Sequence, residues 1–283
     1  MPTADNKEKT MQDVFTDNGD TAGEEDERLL DQPAARSIGR GIGWIHEAFL
    51  LFREYWAAWM LIALVLFVAE EICKGIMTYS GMIGAAVYGM FVLFKAGGIM
   101  SAASFQEYEE TPPRIGHLFA IFDSKIFEFV LLFVLMFLSA VAWALLLYGA
   151  ANALGWLGNT EGIATLPVSL VLLLVFWYLS WQLLLGFAPV LVFLQSETPF
   201  AAILLSAKAA VKNILPLALC GVCFAFFYIV ILTLPGLREG VASYVLSALL
   251  LALNILGYLT VYAAYRDIWF EPAERDPVTV GYR

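Results

Sequence analysis

The chain is short of the residues that carry most metal and nucleophilic chemistry. Its 283 residues hold two histidines and three cysteines, and charged side chains make up only 15% of it. His46 and His117 lie far apart in sequence, so no His-based triad or zinc cluster assembles from them. Three cysteines, Cys73, Cys220 and Cys223, cannot form a disulfide framework, and all three fall inside apolar runs. Cys220-Gly-Val-Cys223 spells a CxxC. It has no flanking strand and no exposed thiol to activate, so it reads as two small apolar residues on one helix face. Gly39, Gly41 and Gly43 do not follow a strand, which removes the nucleotide-loop reading. Sixteen Lys and Arg stand against 26 Asp and Glu, a formal net charge of −10, with no basic stripe. That excludes nucleic acid as a partner. No cofactor or metal is expected.

A soluble domain carries about a quarter charged residues. Here the composition is 60% hydrophobic and the mean hydropathy is +0.75. The solvent for most of the chain is therefore a phospholipid bilayer. Residues 1–36 are the exception, with ten acids against four bases and few apolar side chains. Such a stretch cannot bury enough surface to offset its chain entropy, and we expect a disordered acidic cytoplasmic tail. No basic region followed by an apolar core is visible there, so the first apolar span is expected to act as the insertion signal.

Crossing a hydrocarbon core of about 30 Å takes about 20 apolar residues in a helix. Six segments qualify: 55–78, 81–104, 125–150, 166–194, 215–234 and 241–265. The expected fold is an all-α membrane domain over 37–271, made of six transmembrane helices arranged as three in–out hairpins. Residues 272–283 form a short cytoplasmic tail. Lys and Arg decide the orientation. Arg36, Arg40, Arg53, Arg114, Lys125, Lys208, Lys212, Arg266, Arg275 and Arg283 share one side, and Arg238 falls on the other, with Lys74 inside span one. The basic side is cytoplasmic, which places both termini there.

Each hairpin is preceded by an amphipathic stretch, near 37–54, 113–123 and 198–213. In the first, Ile38, Ile42, Ile45, Phe49 and Phe52 recur at steps of four and three, one face of a helix, with Ser37 as a candidate cap. The second carries Ile115, Leu118, Phe119 and Phe122 after Pro112-Pro113. In the third, Thr198-Pro199 reads as an N-cap followed by proline at the first helical position. Leu204, Leu205 and Val211 then face away from Lys208 and Lys212. Helices of this kind lie in the interface, apolar face down. They serve either as packed connectors or as a surface for lipid or for a membrane-protein partner. The three units also resemble one another weakly, which fits parallel repeats or shared amphipathicity alone.

Charge inside a membrane is costly and marks a candidate site. Glu70, Glu71 and Lys74 lie in span one, Lys95 in span two and Asn254 in span six. Glu70 is about 22 Å along the helix from Tyr55. Glu70 and Lys74 are spaced for an i,i+4 pair. Glu71, rotated away, needs another partner or water. One reading has these three close the first hairpin at its outer end; the other makes them the acidic lining of a cation or proton path. Lys95 reaches Glu70 only at near full extension, and snorkelling towards the cytoplasm is the simpler expectation. Asn254 is expected to bond across the bundle. Pro189 should kink span four and free a carbonyl near Gly186.

Several stretches resemble a known family. These are Ala96-Gly-Gly-Ile-Met100, Pro113-Arg-Ile-Gly-His-Leu-Phe-Ala-Ile-Phe122, and Phe187-Ala-Pro-Val-Leu191 leading to Ser206-Ala-Lys-Ala-Ala-Val-Lys-Asn213. The ending Ala264-Tyr-Arg-Asp-Ile-Trp269 belongs with them. Together they are similar to YciC-like proteobacterial inner-membrane proteins and to the membrane domain fused to some glycerophosphodiester phosphodiesterases. The resemblance implies a six-helix protein of the bacterial inner membrane. It brings no site residues, and the phosphodiesterase barrel is missing from this chain. The expectation is a non-enzymatic structural, lipid-interacting or complex-associated protein, with a small transporter or channel using the intramembrane carboxylates as the alternative.

Overall fold

The computed structural model describes residues 29–271 apart from 121, 123, 124, 155–167, 235–239 and 241. The terminal segments 1–28 and 272–283 expected to be tails lie outside the described residues, as do the connections after the third and fifth expected spans. The regular elements among the described residues are helices, with one isolated bridge between Leu29 and Phe270. In chain order the helices are α1 Arg40–Glu54, α2 Trp56–Ser80, α3 Met82–Glu109, α4 Ile126–Ala153, α5 Val168–Leu185, α6 Ala188–Leu194, α7 Pro199–Lys212, α8 Ile214–Thr233 and α9 Ala242–Trp269. A 3₁₀ turn, Ile115–Phe119, precedes α4.

Among the described residues five helical stretches are long and apolar enough to cross a membrane: Ile83–Glu109, Ile126–Ala153, Val171–Leu194, Ile214–Thr233 and Ala242–Trp269. They make the chain a multi-pass α-helical membrane protein. α2 stands apart from them. It is 25 residues long and puts Glu70, Glu71 and Lys74 into its second half.

The boundaries have local causes. Tyr55, at φ −126° and ψ 45°, separates α1 from α2. Gly81 turns the α2–α3 hairpin at φ +49°, a conformation that favours glycine, and its N–H closes α2 on the Met77 carbonyl. The two helices then cross closely: a Cβ on Gly84 would lie 2.2 Å from the Met77 Cα. Thr198 caps α7 by accepting from the Ala201 N–H, with Pro199 at the first position.

Of the expected amphipathic helices, those near 37–54 and 198–213 form as α1 and α7; beyond the 3₁₀ turn of the 113–123 stretch, Ala120 and Phe122 are helical. The described residues of 113–123 hold the five-residue 3₁₀ turn, in which Arg114 N–H donates to His117 Nδ1. The pair Pro112-Pro113 withholds two backbone donors just before it and disfavours a start further upstream. Ser37 does not cap α1; Gly39 stands at that position without a side-chain bond.

The core sits towards the end of the bundle formed by α1, the start of α2, the later turns of α3 and α9, and α6. α1 packs chiefly on α9 and α8, while α3 touches α2, α9, α6, α4 and the 3₁₀ turn. Trp44, Trp59, Trp269 and Tyr262 are fully buried there. Residues 29–36, expected as part of the tail, lie on this base: Leu30 N–H donates to the Trp269 carbonyl and Ala34 N–H to that of Ile268. Away from the base, α4, α5 and α8 turn most of their Leu, Val and Phe side chains outward. In water so much exposed apolar surface would drive aggregation; in hydrocarbon it is the ordinary exterior.

Candidate functional site

Midway along the helices, α2 and α3 are joined by an ion pair. Lys95 Nζ lies 2.8 Å from Glu70 Oε2, and the lysine is 6% exposed. Glu70 is further held by Lys74 Nζ at 3.1 Å and by the Tyr88 hydroxyl, which donates to Oε1 over 3.2 Å. Lys74 also pairs with Glu71 at 2.9 Å, on the exposed side of α2. The rings of Phe91 and Tyr258 lie 5.9 and 5.4 Å from Lys95 Nζ, a favourable setting for a cation with little water.

Lys95 therefore does not snorkel. α3 runs on to Glu109, so Lys95 is about 21 Å from that end, far beyond a lysine's length. The offset from Glu70 is short enough for the side chain to bridge instead. Glu71, expected to need a separate partner, shares Lys74.

The pair borders a cavity of about 260 Å³ between α2, α3, α8 and α9. Ala63, Leu66, Leu251 and Ile255 give it apolar walls, and Tyr228, Ser247 and Asn254 add polar atoms. Asn254 is exposed into this space; no hydrogen bond across the bundle holds it among the described residues, because its helix turns it towards the opening. Phe67, Ser247 and Asn254 are exposed at the rim, so the cavity opens on the side of the bundle.

Pro189 lies at the start of α6 rather than inside a continuous helix. α5 ends at Leu185, and the chain turns at Gly186 and Phe187. The Phe187 N–H there donates to Ser206 Oγ of α7 over 3.1 Å. A second, mostly apolar space of about 180 Å³ lies beside this break, reaching Trp44, Cys220 and Val261. Cys220 is buried and its Sγ donates to the Gly41 carbonyl over 3.0 Å, while Cys223 is half-buried. No group of three or more His, Cys, Asp or Glu that could hold a metal occurs among the described residues.

A second polar constellation, at the base, was not singled out from the sequence. Asp267 accepts from Arg40 Nε and Trp44 Nε1, both at 2.8 Å, and pairs with Arg36 at 3.3 Å. The hydrogen bond that Arg40 donates to Asp267, then the charges of Asp267 and Glu47, raise the Arg40 pKa against the opposing effect of burial. Asn213, buried where α7 meets α8, donates to the carbonyls of Ala34 and Ala209 and accepts from the Arg36 N–H. Gln106 accepts from Trp59 Nε1 and donates to the Leu51 carbonyl and Glu54. Glu107 receives the Tyr262 hydroxyl and the Arg266 guanidinium. The one available signal was the run Tyr265-Arg266-Asp267-Ile268-Trp269, whose charges follow a long apolar helix. At this end the His117 pKa lies below its ordinary value, mainly through burial and then the nearby Arg114 charge, with Glu109 opposing. The His117 ring stacks on Phe105 at 4.3 Å.

No family model, no curated protein and no solved structure matches this chain.

Proposed function

We propose that the chain is a six-crossing inner-membrane protein of a bacterium that acts on or through lipid, without a catalytic centre of its own. α2 is the additional crossing, its charges neutralised within the bundle. The basic base faces the cytoplasm. The observation that carries the lipid reading is the outward side of the three connecting stretches. Ile38, Ile42 and Phe49 beside α1, Phe119 and Phe122 around the 3₁₀ turn, and Phe200, Leu204 and Val211 on α7 are all exposed. The opposite faces are packed on the bundle. Apolar side chains at that level suit an interface between headgroups and acyl chains. The likeness to YciC-like proteins points to the same membrane and topology. The lack of a nucleophile–base pair in the sequence supports the non-catalytic part.

Single cysteines in a cysteine-free background test the topology. Tyr79→Cys, at the 94% exposed tip of the first hairpin, should label only from the side opposite Lys208→Cys. Labelling of both from one side rejects the crossing of α2. For the lipid role, Ile42→Asp and Leu204→Asp should weaken stability in bilayers far more than in detergent; equal effects in both would reject it.

A second reading, a small transporter, is favoured by the cavity at Glu70 and Lys95. Gradient-driven uptake into proteoliposomes, abolished by Glu70→Gln, would support it.

A further inference from the structure

We propose that the cavity between α2, α3, α8 and α9 binds a small zwitterion, an ammonium group beside an anionic oxygen. The phosphoethanolamine headgroup of a phospholipid and a free molecule of the same kind share that chemistry. The proposal rests on the reading of α2 as a membrane-crossing helix, which gives the site its low dielectric.

Charge decides the ligand class. Glu70, Glu71, Lys74 and Lys95 sum to zero and are paired with one another. A net cation or anion entering this space would leave one charge uncompensated in hydrocarbon, which is strongly unfavourable. A zwitterion adds none. Its ammonium can lie against Glu70 and its anionic oxygens against Lys95, closing a square of alternating charges. The same argument disfavours a simple cation path along the carboxylates.

Two further observations agree. Asn254 presents an exposed carboxamide to the cavity, with a donor and an acceptor to offer, next to Tyr228 and the exposed Ser247. The volume, about 260 Å³, falls just under the range of small-molecule pockets, about 300–1,000 Å³. That is room for a headgroup and not for a whole lipid. The opening beside Phe67 lets acyl chains stay in the bilayer.

The experiment uses the full chain taken from vesicles of equal phosphatidylethanolamine, phosphatidylcholine and phosphatidylglycerol. Retained lipid is counted by native mass spectrometry, and glycerophosphoethanolamine and glycine, both net neutral at about pH 7, are offered in equilibrium dialysis. Retention of phosphatidylethanolamine at least fivefold over phosphatidylglycerol assigns the lipid source. Saturable binding of a dialysed zwitterion assigns the free one. In either case Asn254→Leu and the neutral pair Glu70→Leu/Lys95→Met should lower binding about tenfold. Asn254→Leu leaves the ion pair in place and remains informative if the double variant fails to fold. Equal retention of all three lipids with no dialysed ligand bound overturns the proposal, as does binding that Asn254→Leu leaves unchanged. If Tyr79→Cys labels from the far side in that case, the crossing of α2 stands and only the ligand assignment falls.

Discussion

At the base three tryptophans are buried: Trp44 of α1 donates to Asp267 of α9, Trp59 of α2 donates to Gln106 of α3, and Trp269 closes α9, while Asn213 between α7 and α8 ties in residues 34 and 36. Towards the other end, α4, α5 and α8 show apolar side chains to the outside, and α4 and α5 share two indole-to-hydroxyl hydrogen bonds, Trp143 to Ser180 and Trp181 to Ser139. At the base, every buried N–H and carboxylate must find a partner or lose about 1–3 kcal/mol. Among the hydrocarbon-facing turns, lipid packs about as well as a neighbouring helix, so close packing gains little. Ion pairing returns in the outer part around Glu70 and Lys95, where charges in hydrocarbon impose the same obligation as at the base.

That contrast can be broken or sharpened by substitution, with thermal unfolding in one lipid mixture as the common measurement. The largest effect should come from Glu70→Leu, which leaves Lys95 buried without its carboxylate and should cost about 3–5 kcal/mol. Lys95→Met should cost less, because Glu70 keeps Lys74 and Tyr88. The double variant should recover most of the loss, and additive losses would show that the pair is not coupled.

Next comes Asp267→Ala, which strips partners from Arg36, Arg40 and Trp44. Arg40 is partly open to solvent, so about 3 kcal/mol is expected, the lower end for breaking a buried pair. An unchanged melting temperature would mean that the base is held by apolar packing alone.

Smaller again is Gly41→Ala. Its Cβ would meet the Pro216 carbonyl oxygen at 2.4 Å, forcing α1 off α8, for about 1–3 kcal/mol. Gly221→Ala, with nothing within 4 Å of the added carbon, should be neutral or stabilise by up to about 1 kcal/mol through helix propensity. Equal effects at the two glycines would erase the difference in packing between base and span.

The smallest effect concerns His117. Its pKa is lowered in the folded protein, so the fold favours the neutral ring. The stabilisation is complete above the ordinary value of about 6.5 and is lost as pH falls from there through the folded value. Exchange of backbone amides in 111–119, corrected for intrinsic rates, should quicken on going from about pH 7.5 to about pH 5.5. His117→Phe, which keeps the stack on Phe105, should make that response flat. A response that persists in the variant would assign it to another group.

Much of the helical layout was legible because hydropathy over 20 residues is a strong local signal. The proline at Pro199 and the Thr198 cap were equally readable. The facing of α1 was not. Its periodic apolar stripe splits: Ile38, Ile42 and Phe49 are exposed, while Ile45 and Phe52 are partly buried against the core beside Trp44 and Ala48. In water an apolar stripe marks the inside, but beside a bilayer the outside is apolar too, and the hydrophobic period loses its sign.

The sequence by itself determined the solvent and the lengths of the long apolar helices, because transfer into hydrocarbon is a sum over neighbouring residues. Tertiary structure alone decided which polar groups meet. Glu70 reaches Lys95 and Asp267 gathers Arg36, Arg40 and Trp44 from across the chain. Those meetings depend on the depth and rotation of one helix against another, and contacts distant in sequence set both.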